Sequence, residues 1–491
     1  MIDTEALRKK VIDLAIQGKL TEQLPSDGDA ETLYAQILDH KSQLIKEGKI
    51  KKDKALPDIA ADEIPFEIPD NWKWVRFIDI STIINGDRGK NYPAKSTLSL
   101  EGIPFISALN LNGVGVDDDD RLMCLSEEQY DKLGSGKLRK NDIVICIRGS
   151  LGKHGRYPFE KGAIASSLVI CRPHCYETEI GGFIMKWLDS SMFPREIDKY
   201  DGGSAQPNLA AENLKKFLIP LPPIEEQVRI IDTLDEVLTW IDIIDDLQAK
   251  YSNDLVVLKS KIIDAGIQGK LTEQLPEDGD AEDLYAQILN QKSQLIKEGK
   301  IKKEKPLPDI TADEIPFEIP KNWKWVRFGD LYSLTNGIAS RGSIGGTLRP
   351  VLRLADLVGG EINTKNVREI KLTDTEFESH KINSGDIIFI RVNGSRDKVA
   401  NAFLYCGDNE VSYCDHLFSG RKIYDEVDSS YIMFVYRSDM AKKQVDPEIK
   451  TTAGQNTINQ NGMGKILIPL PPISEQKRIA KKIAELHEVI S

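Results

Sequence analysis

Long apolar runs are missing from this chain. In 491 residues no stretch of eighteen consecutive apolar side chains occurs, which argues against a membrane-spanning helix. The first ten residues, MIDTEALRKK, begin an amphipathic pattern and lack the apolar stretch of a secretory signal. A cytoplasmic location is therefore expected. Cysteine is sparse and unpatterned. Its six copies, Cys124, Cys146, Cys171, Cys175, Cys406 and Cys414, repeat no spacing, which argues against a disulfide framework and fits free thiols in a reducing compartment. CRPHC at 171–175 could hold a metal through Cys171, His174 and Cys175, but it lacks the second ligand pair of a structural zinc site, so no metal is expected. There is no P-loop, and EIK at 448–450 has no upstream acidic pair to complete a metal-dependent nuclease.

What the chain has in abundance is itself. FEIPDNWKWVRF at 66–77 returns as FEIPKNWKWVRF at 317–328, with Asp70 replaced by Lys321 as the sole change. The copy extends from Ile12–Phe77 to Ile263–Phe328, identical at 56 of 66 positions with a constant offset of 251. A second pair, IPLPPIEEQ at 219–227 and IPLPPISEQ at 468–476, repeats at offset 249. Between these frames the inserts 81–216 and 332–465 share little beyond length. The order is frame, insert, frame, insert, frame, and a repeat of this size dictates how everything else is read.

Charge follows the same division. The net charge of −12 disfavours a polyanionic partner at first sight. The first insert, however, holds 18 basic and 18 acidic residues and the second 17 and 17, leaving 30 and 42 for the frames. All of the net charge lies in the frames. Within the first insert, KLRKNDIVICIRGSLGKHGR (137–156) gathers Lys137, Arg139, Lys140, Arg148, Lys153 and Arg156 against a lone Asp142.

The frames read as helices. After Pro222 and Pro223, apolar residues recur at Ile230, Leu234, Val237, Ile241 and Ile244, a coiled-coil seam. The stripe shifts phase near Leu247 and resumes at Tyr251, Leu255, Leu258 and Ile262, predicting one rod of about 60 Å. Ile479, Ile483, Leu486 and Ile490 repeat the first half of that rod, and Leu7 and Val11 repeat its second half. A second rod split between the two ends of the chain follows, and with it a circular pseudo-dimer whose termini lie close together. DAETLYAQILDHKSQLIKEGK (29–49) predicts a helix with Leu33, Ile37, Leu44 and Ile45 on one face, starting at the Gly28-Asp29 step. An extended, proline-punctuated connector follows it, and Trp72 and Trp74 alternate as in a strand. In the inserts, β-rich runs such as DIVICIRGS (142–150), AIASSLVICRP (163–173) and DIIFIRVNGS (386–395) mix with single helical stretches. The fold class expected is α+β, with two globules joined by long antiparallel, coiled-coil-like helices in a circular pseudo-twofold arrangement.

Two equal frames imply one kind of partner bound twice; two unlike inserts imply two different recognitions. The whole chain resembles the specificity subunit of type I restriction-modification systems. The resemblance rests on the AIQGKLT-like helix end (Ile16–Thr21, Ile267–Thr272) and the I-P-x-x-W-x-W phrase (Ile68–Trp74, Ile319–Trp325). It also rests on the G/N-D strand opening (Asn141-Asp142, Gly385-Asp386), the R-G-S-x-G turn (Arg148–Gly152), AQPNL (Ala205–Leu209) and the twice-written IPLPP-x-x-EQ. It implies a conserved helical region at 1–65, a first target recognition domain at 66–218, a central helical region at 219–316, a second recognition domain at 317–467 and a C-terminal helix at 468–491. It further implies that the two domains read the halves of a bipartite, asymmetric site in double-stranded DNA. The frames would dock two methyltransferase subunits and the restriction subunits, with S-adenosylmethionine, ATP and Mg on those partners and no cofactor on this chain. No activity of its own is expected, because the string nearest a D/N-P-P-aromatic motif is PLPPI and GVGV (113–116) leads only into an aspartate run. That run, DDDD at 117–120, reads as a solvated loop rather than a cation site. The alternative is a tandem protein-interaction scaffold without sequence-specific DNA binding.

Candidate DNA contacts follow from residue type. Arg148, Lys153 and Arg156 sit in a glycine-rich turn where arginine can fork onto guanine and backbone can approach phosphate; the same residues would serve a plain charged turn. Arg88, Lys90 and Arg341 occupy equivalent loops after each frame, suited to phosphate contacts or to ordinary solvation. RVNGSRDK at 391–398 replaces RGSLGK in the second insert, making Arg391 and Arg396 its candidates. Gln206 and Asn208, with Gln455 and Asn456, carry amides that fit adenine edges or, as readily, satisfy turn backbone. Trp72, Trp74, Trp323 and Trp325, identical in both copies, point to a frame core or a partner surface rather than base stacking.

Overall fold

The structure is a computed structural model that describes residues 1–117, 122–200, 208–303, 305–339 and 345–490, and the chain divides into two units, Met1–Ala249 and Lys250–Ser491. The fold is α+β. In the first unit Asp3 caps the helix Thr4–Ile16 by accepting from the Ala6 amide. This helix runs antiparallel to the first part of one long helix, Ile224–Ile267. The pairing is marked by ladders of polar contacts: Thr4 to Asp245, Arg8 to Asp242 and Asp245, Gln23 to Glu226. Ile230, Leu234 and Ile241 are buried on the seam as their spacing predicts. In the second unit the C-terminal helix Ile473–Val489 runs against the last part of the long helix, where a side chain at Gly266 would strike Ile483 at 2.7 Å. Each unit thus completes its helix pair with a different end of the chain.

One part of the stripe fails. Tyr251 and Leu258 are 60% and 42% exposed, and the buried positions farther on are Ile263 and Ile267. The C-terminal helix meets the long helix only from the His487–Lys259 bond onward, which leaves Tyr251 uncovered and Leu258 at the margin, while Ile262 packs on the core.

The helix Ala30–Lys46 is capped by Asp29, which accepts from the Thr32 amide at 2.7 Å, and buries Ala30, Leu33 and Ile37. The connector that follows is pinned rather than loose. Arg76 is buried, donates to the Pro57 and Lys216 carbonyls and pairs with Glu63. Arg327 does the same with Pro308, Lys465 and Glu314. Each insert enters and leaves through a two-stranded antiparallel neck: Lys73–Arg76 pairs with Leu218–Leu221, and Lys324–Arg327 with Leu467–Leu470.

Beyond the necks two unrelated sequences adopt one topology. The first insert forms an antiparallel sheet of Ser81–Asn85, Leu168–Pro173, Ile143–Cys146 and His154–Arg156, in that order. The second forms Tyr332–Asn336, Leu417–Lys422, Ile387–Ile390 and Ala402–Leu404. Each has a second sheet with one parallel pair, Ile103–Ile106 beside Gly162–Ile164 and Thr347–Leu352 beside Ser412–Tyr413. Helices Glu179–Asp189 and Ser429–Arg437 close the sheets and share a core with the frame of their own unit.

Candidate nucleic-acid interface

In each insert a strand opens after a residue in the left-handed region, Asn141 at φ 68° and Gly385 at φ 92°. The next residue is a buried aspartate. Asp142 accepts from the Arg139 amide at 2.9 Å and pairs with Arg172; Asp386 accepts from Asn383 and pairs with Arg421. Removing either carboxylate from water is compensated by this pair of charge-assisted bonds. The latch fixes the strand that carries the candidate residues.

Strand Ile143–Cys146 runs into the turn Arg148–Gly152, with Gly149 and Gly152 at φ 84° and 82°. Arg148 is exposed, and its Nε donates to Asn208 Oδ1 at 3.3 Å while the Leu209 amide bonds the Ile147 carbonyl at 2.9 Å. Two motifs sixty residues apart in sequence thus form one edge. Lys153 is exposed beside it. Arg156 is turned inward: its Nη2 donates to the Glu177 and Thr178 carbonyls, just ahead of helix Glu179–Asp189, and burial pushes its pKa down. Arg88 and Lys90 are exposed on a loop that Asp87 organises by accepting from the amides of Gly89 and Gly134, which hold its pKa low. Arg88 donates to the Ser166 carbonyl at 3.1 Å. Gln206, Arg341 and most of the aspartate run lie outside the described residues.

In the second insert the Ile458 amide bonds the carbonyl of Arg391, as Leu209 bonds Ile147. Arg391 therefore occupies the place of Ile147, and Val392 that of Arg148. The alignment of RVNGS on RGS is off by one, because Val392–Asn393 continues as a strand against Gln455–Thr457. Arg391 donates to the Asp415 carbonyl, and Arg396 pairs with Asp446. Gln455 and Asn456 behave differently. Asn456 is buried, donating to the Gly394 carbonyl at 2.8 Å and accepting from Thr451 at 2.6 Å, so its amide shapes the turn. Gln455 is exposed, opposite Thr452 on the hairpin Lys450–Thr457, whose turn places Ala453 and Gly454 at positive φ.

Of the two readings of the frame tryptophans, core or partner surface, the structure places Trp72 and Trp323 in the core: each is only 6% exposed and donates to Glu226 or Glu475 at 2.8 Å. Trp74 and Trp325 are half-buried, edge-on to Phe66 and Phe317 at 5.1 Å. Glu226 also accepts from Gln23 at 3.0 Å, and Glu475 from Gln274 at 2.9 Å. Three separate signatures, QGKLTEQ, IPxNW and PPxxEQ, converge on one buried carboxylate. Gly18 and Gly269, both at positive φ, let the first pass within 2.5 Å of the second's proline ring at the place a side chain would need.

His174, in the CRPHC string, has both ring nitrogens engaged, by the Asp79 carbonyl and the Thr82 hydroxyl. Burial, reinforced by the Lys41 ammonium, pushes its pKa from 6.5 down to about 4. Ile423 stands in its place in the second unit, bonding the Leu331 carbonyl as His174 bonds that of Ile80. A neutral histidine in the folded state and a protonated one in the unfolded state mean that stability present above pH 6.5 is lost as pH falls toward 4. The expected loss is about 3 kcal/mol in the first unit, read by unit-resolved hydrogen exchange, and absent in the second unit and in His174→Leu. Equal acid sensitivity of both units would contradict it.

Comparison with known proteins places this geometry. Residues 69–250 match the family model of the type I restriction modification DNA specificity domain. The chain is 28% identical, over 98% of its own length and 88% of the relative's, to the type I restriction enzyme EcoAI specificity subunit of Escherichia coli. It is 25% identical to the EcoEI specificity subunit of the same species, over 98% of this chain and 89% of that one. A crystal structure of the HsdS subunit from Thermoanaerobacter tengcongensis shares the fold with a TM-score of 0.51 at 16% identity, covering 87% of this chain and 91% of that one. A chain solved in a study of type I system assembly and conformational transition gives 0.56 at 15%, covering 87% and 92%. Residues 69–250 are thus similar to a type I DNA specificity domain, and the chain as a whole shares the fold of the HsdS subunit. No helix among the described residues is long and apolar enough to cross a membrane.

Proposed function

We propose that the chain is the DNA reader of a type I restriction-modification complex, each insert reading one half of a bipartite, asymmetric site. The frames dock two methyltransferase subunits and the restriction subunits. The chemistry, with S-adenosylmethionine, ATP and Mg, belongs to those partners, and this chain catalyses nothing by itself. One observation carries the reading: two sequences with almost nothing in common share a strand order and present, at the same edge, different exposed polar side chains. Arg148 and Asn208 stand there in one, and the hairpin with Gln455 and Thr452 in the other. A constant chassis with variable lettering suits two unlike half-sites, and a two-stranded ribbon fits the major groove.

The test is retention of duplex DNA by the chain purified with its methyltransferase subunits. A duplex carrying the site will be held at least ~1000-fold more tightly than a scrambled one, and affinity will fall steeply between about 50 and 200 mM salt. Indifference to sequence would favour a protein-interaction scaffold instead.

A further inference from the structure

A second feature recurs in both inserts without any sequence kinship. In the first, Leu111 and Val116 bridge to form a tight hairpin, closed by the Asp117 amide on the Asn110 carbonyl at 2.8 Å. In the second, Leu357–Val358 pairs with Glu361–Ile362, closed by the Asn363 amide on the Asp356 carbonyl, also at 2.8 Å. The tips present aliphatic side chains to solvent: Val114 is 82% exposed and Val358 63%, and Leu109 at the base of the first hairpin is 86% exposed.

Isolated exposed aliphatics are ordinary. Three observations set these apart. The first hairpin is clamped, not free: Asn112 Oδ1 accepts from the amides of Val114 and Gly115, the Gly113 amide bonds the His154 carbonyl at 2.9 Å, and the Arg156 amide bonds that of Val114 at 3.2 Å. Gly155 comes so close to Gly115 that a side chain there would meet its carbonyl oxygen at 2.1 Å, so a glycine at 155 makes the docking possible. The clamp lands on His154, the residue after Lys153, which puts the aliphatic tip beside the exposed cationic turn of Arg148 and Lys153. In the second unit Gly359, Gly360 and Glu361 at the tip line one open groove with Arg437, with Arg396, which pairs with Asp446, and with Lys442, which pairs with Asp439. An aliphatic point held rigid beside cations is the arrangement of side chains that wedge between base steps while neighbouring charges hold the phosphates.

We propose that Val114, assisted by Leu109, and Val358 are wedges that part a stacked base step, one in each half of the recognised DNA. This rests on the DNA-reading function above. Each insert would then read deformability at its wedge step, favouring an easily unstacked pyrimidine–purine step there.

The full chain with its methyltransferase subunits is mixed with duplexes bearing 2-aminopurine at successive positions. Because a methyltransferase can extrude its own target base, positions of methylated adenines are left out of the scoring. A fluorescence rise is expected at one step in each half. Leu109→Ser with Val114→Ser abolishes the rise in the first half only, and Val358→Ser in the second only; exposed sites tolerate these changes in folding. Selective retention of the site with no rise, or with a rise these substitutions leave intact, would overturn the wedge and leave the reading function standing. Loss of selectivity between site and scrambled duplexes in the unsubstituted complex would overturn both.

Discussion

Exchanging residues 81–216 for the corresponding insert of a type I specificity subunit will, on the function proposed above, change one half of the methylated motif and leave the other half as it was. The neck makes this possible. The strands Lys73–Arg76 and Leu218–Leu221 lie side by side, and the Phe77 amide bonds the Phe217 carbonyl at 2.8 Å, so an insert begins and ends at one point. The second unit has its own neck and its own core. The exchange is not free of constraint. Helix Glu179–Asp189 packs on its frame: Phe183 lies edge-on to Trp72 at 6.2 Å, and Gly182 faces Ile231 so closely that a side chain would meet it at 2.8 Å. A donor must therefore supply an apolar face with a small residue at the position of Gly182. Sequencing methylated adenines in host DNA reads the outcome. A motif altered in both halves would show that the inserts do not read independently.

The frames were legible because the chain writes them twice: caps, connector and neck all fall where the repeated phrases place them. Their energetic centre was not. Nothing local in NWKW shows that Trp72 faces a carboxylate 154 residues away, and the tryptophans were read as core or partner surface alike. The inserts were less legible for the same reason. Their strands were visible as β-rich runs, but the parallel pairs join segments such as Ile103–Ile106 and Gly162–Ile164 across long loops, which periodicity cannot show. Arg391 illustrates the cost of aligning by letters: RVNGS resembles RGS, yet a one-residue extension of the strand moves its arginine to the place of Ile147. Asn456 and Gln455 are neighbours of similar chemistry that alternate across a strand, so one is buried and the other exposed. The exposure of Tyr251 and Leu258 has a different origin, since the helix that covers the seam packs elsewhere.

Replacing Glu226 by alanine will lower the stability of the first unit by about 3 kcal/mol or more. The carboxylate is fully buried, and no cation pairs with it among the described residues. Neutral donors hold it instead, Trp72 Nε1 at 2.8 Å and Gln23 Nε2 at 3.0 Å, together with the first turn of the long helix, where the macrodipole favours negative charge. Alanine leaves the Trp72 indole N–H buried without an acceptor, at about 1–3 kcal/mol, and opens a cavity as well, whereas the exposed Gln23 keeps the Gly18 and Thr21 carbonyls as acceptors. Glutamine keeps the shape but presents an NH2 to one of the two donors, so Glu226→Gln will cost less than alanine and still more than a surface change. Trp72→Phe removes one donor together with its need, and the loss from Glu226→Ala will be smaller in that background by about 1 kcal/mol or more. Glu475→Ala will do the same to the second unit through Trp323 and Gln274. Hydrogen exchange resolved by unit measures each case. Because all three frame signatures converge on this group, the first unit should lose protection in the helix Thr4–Ile16, the neck and the first turns of the long helix together. Loss confined to one of these segments, or a change under about 0.5 kcal/mol, would show that the carboxylate is not what joins them.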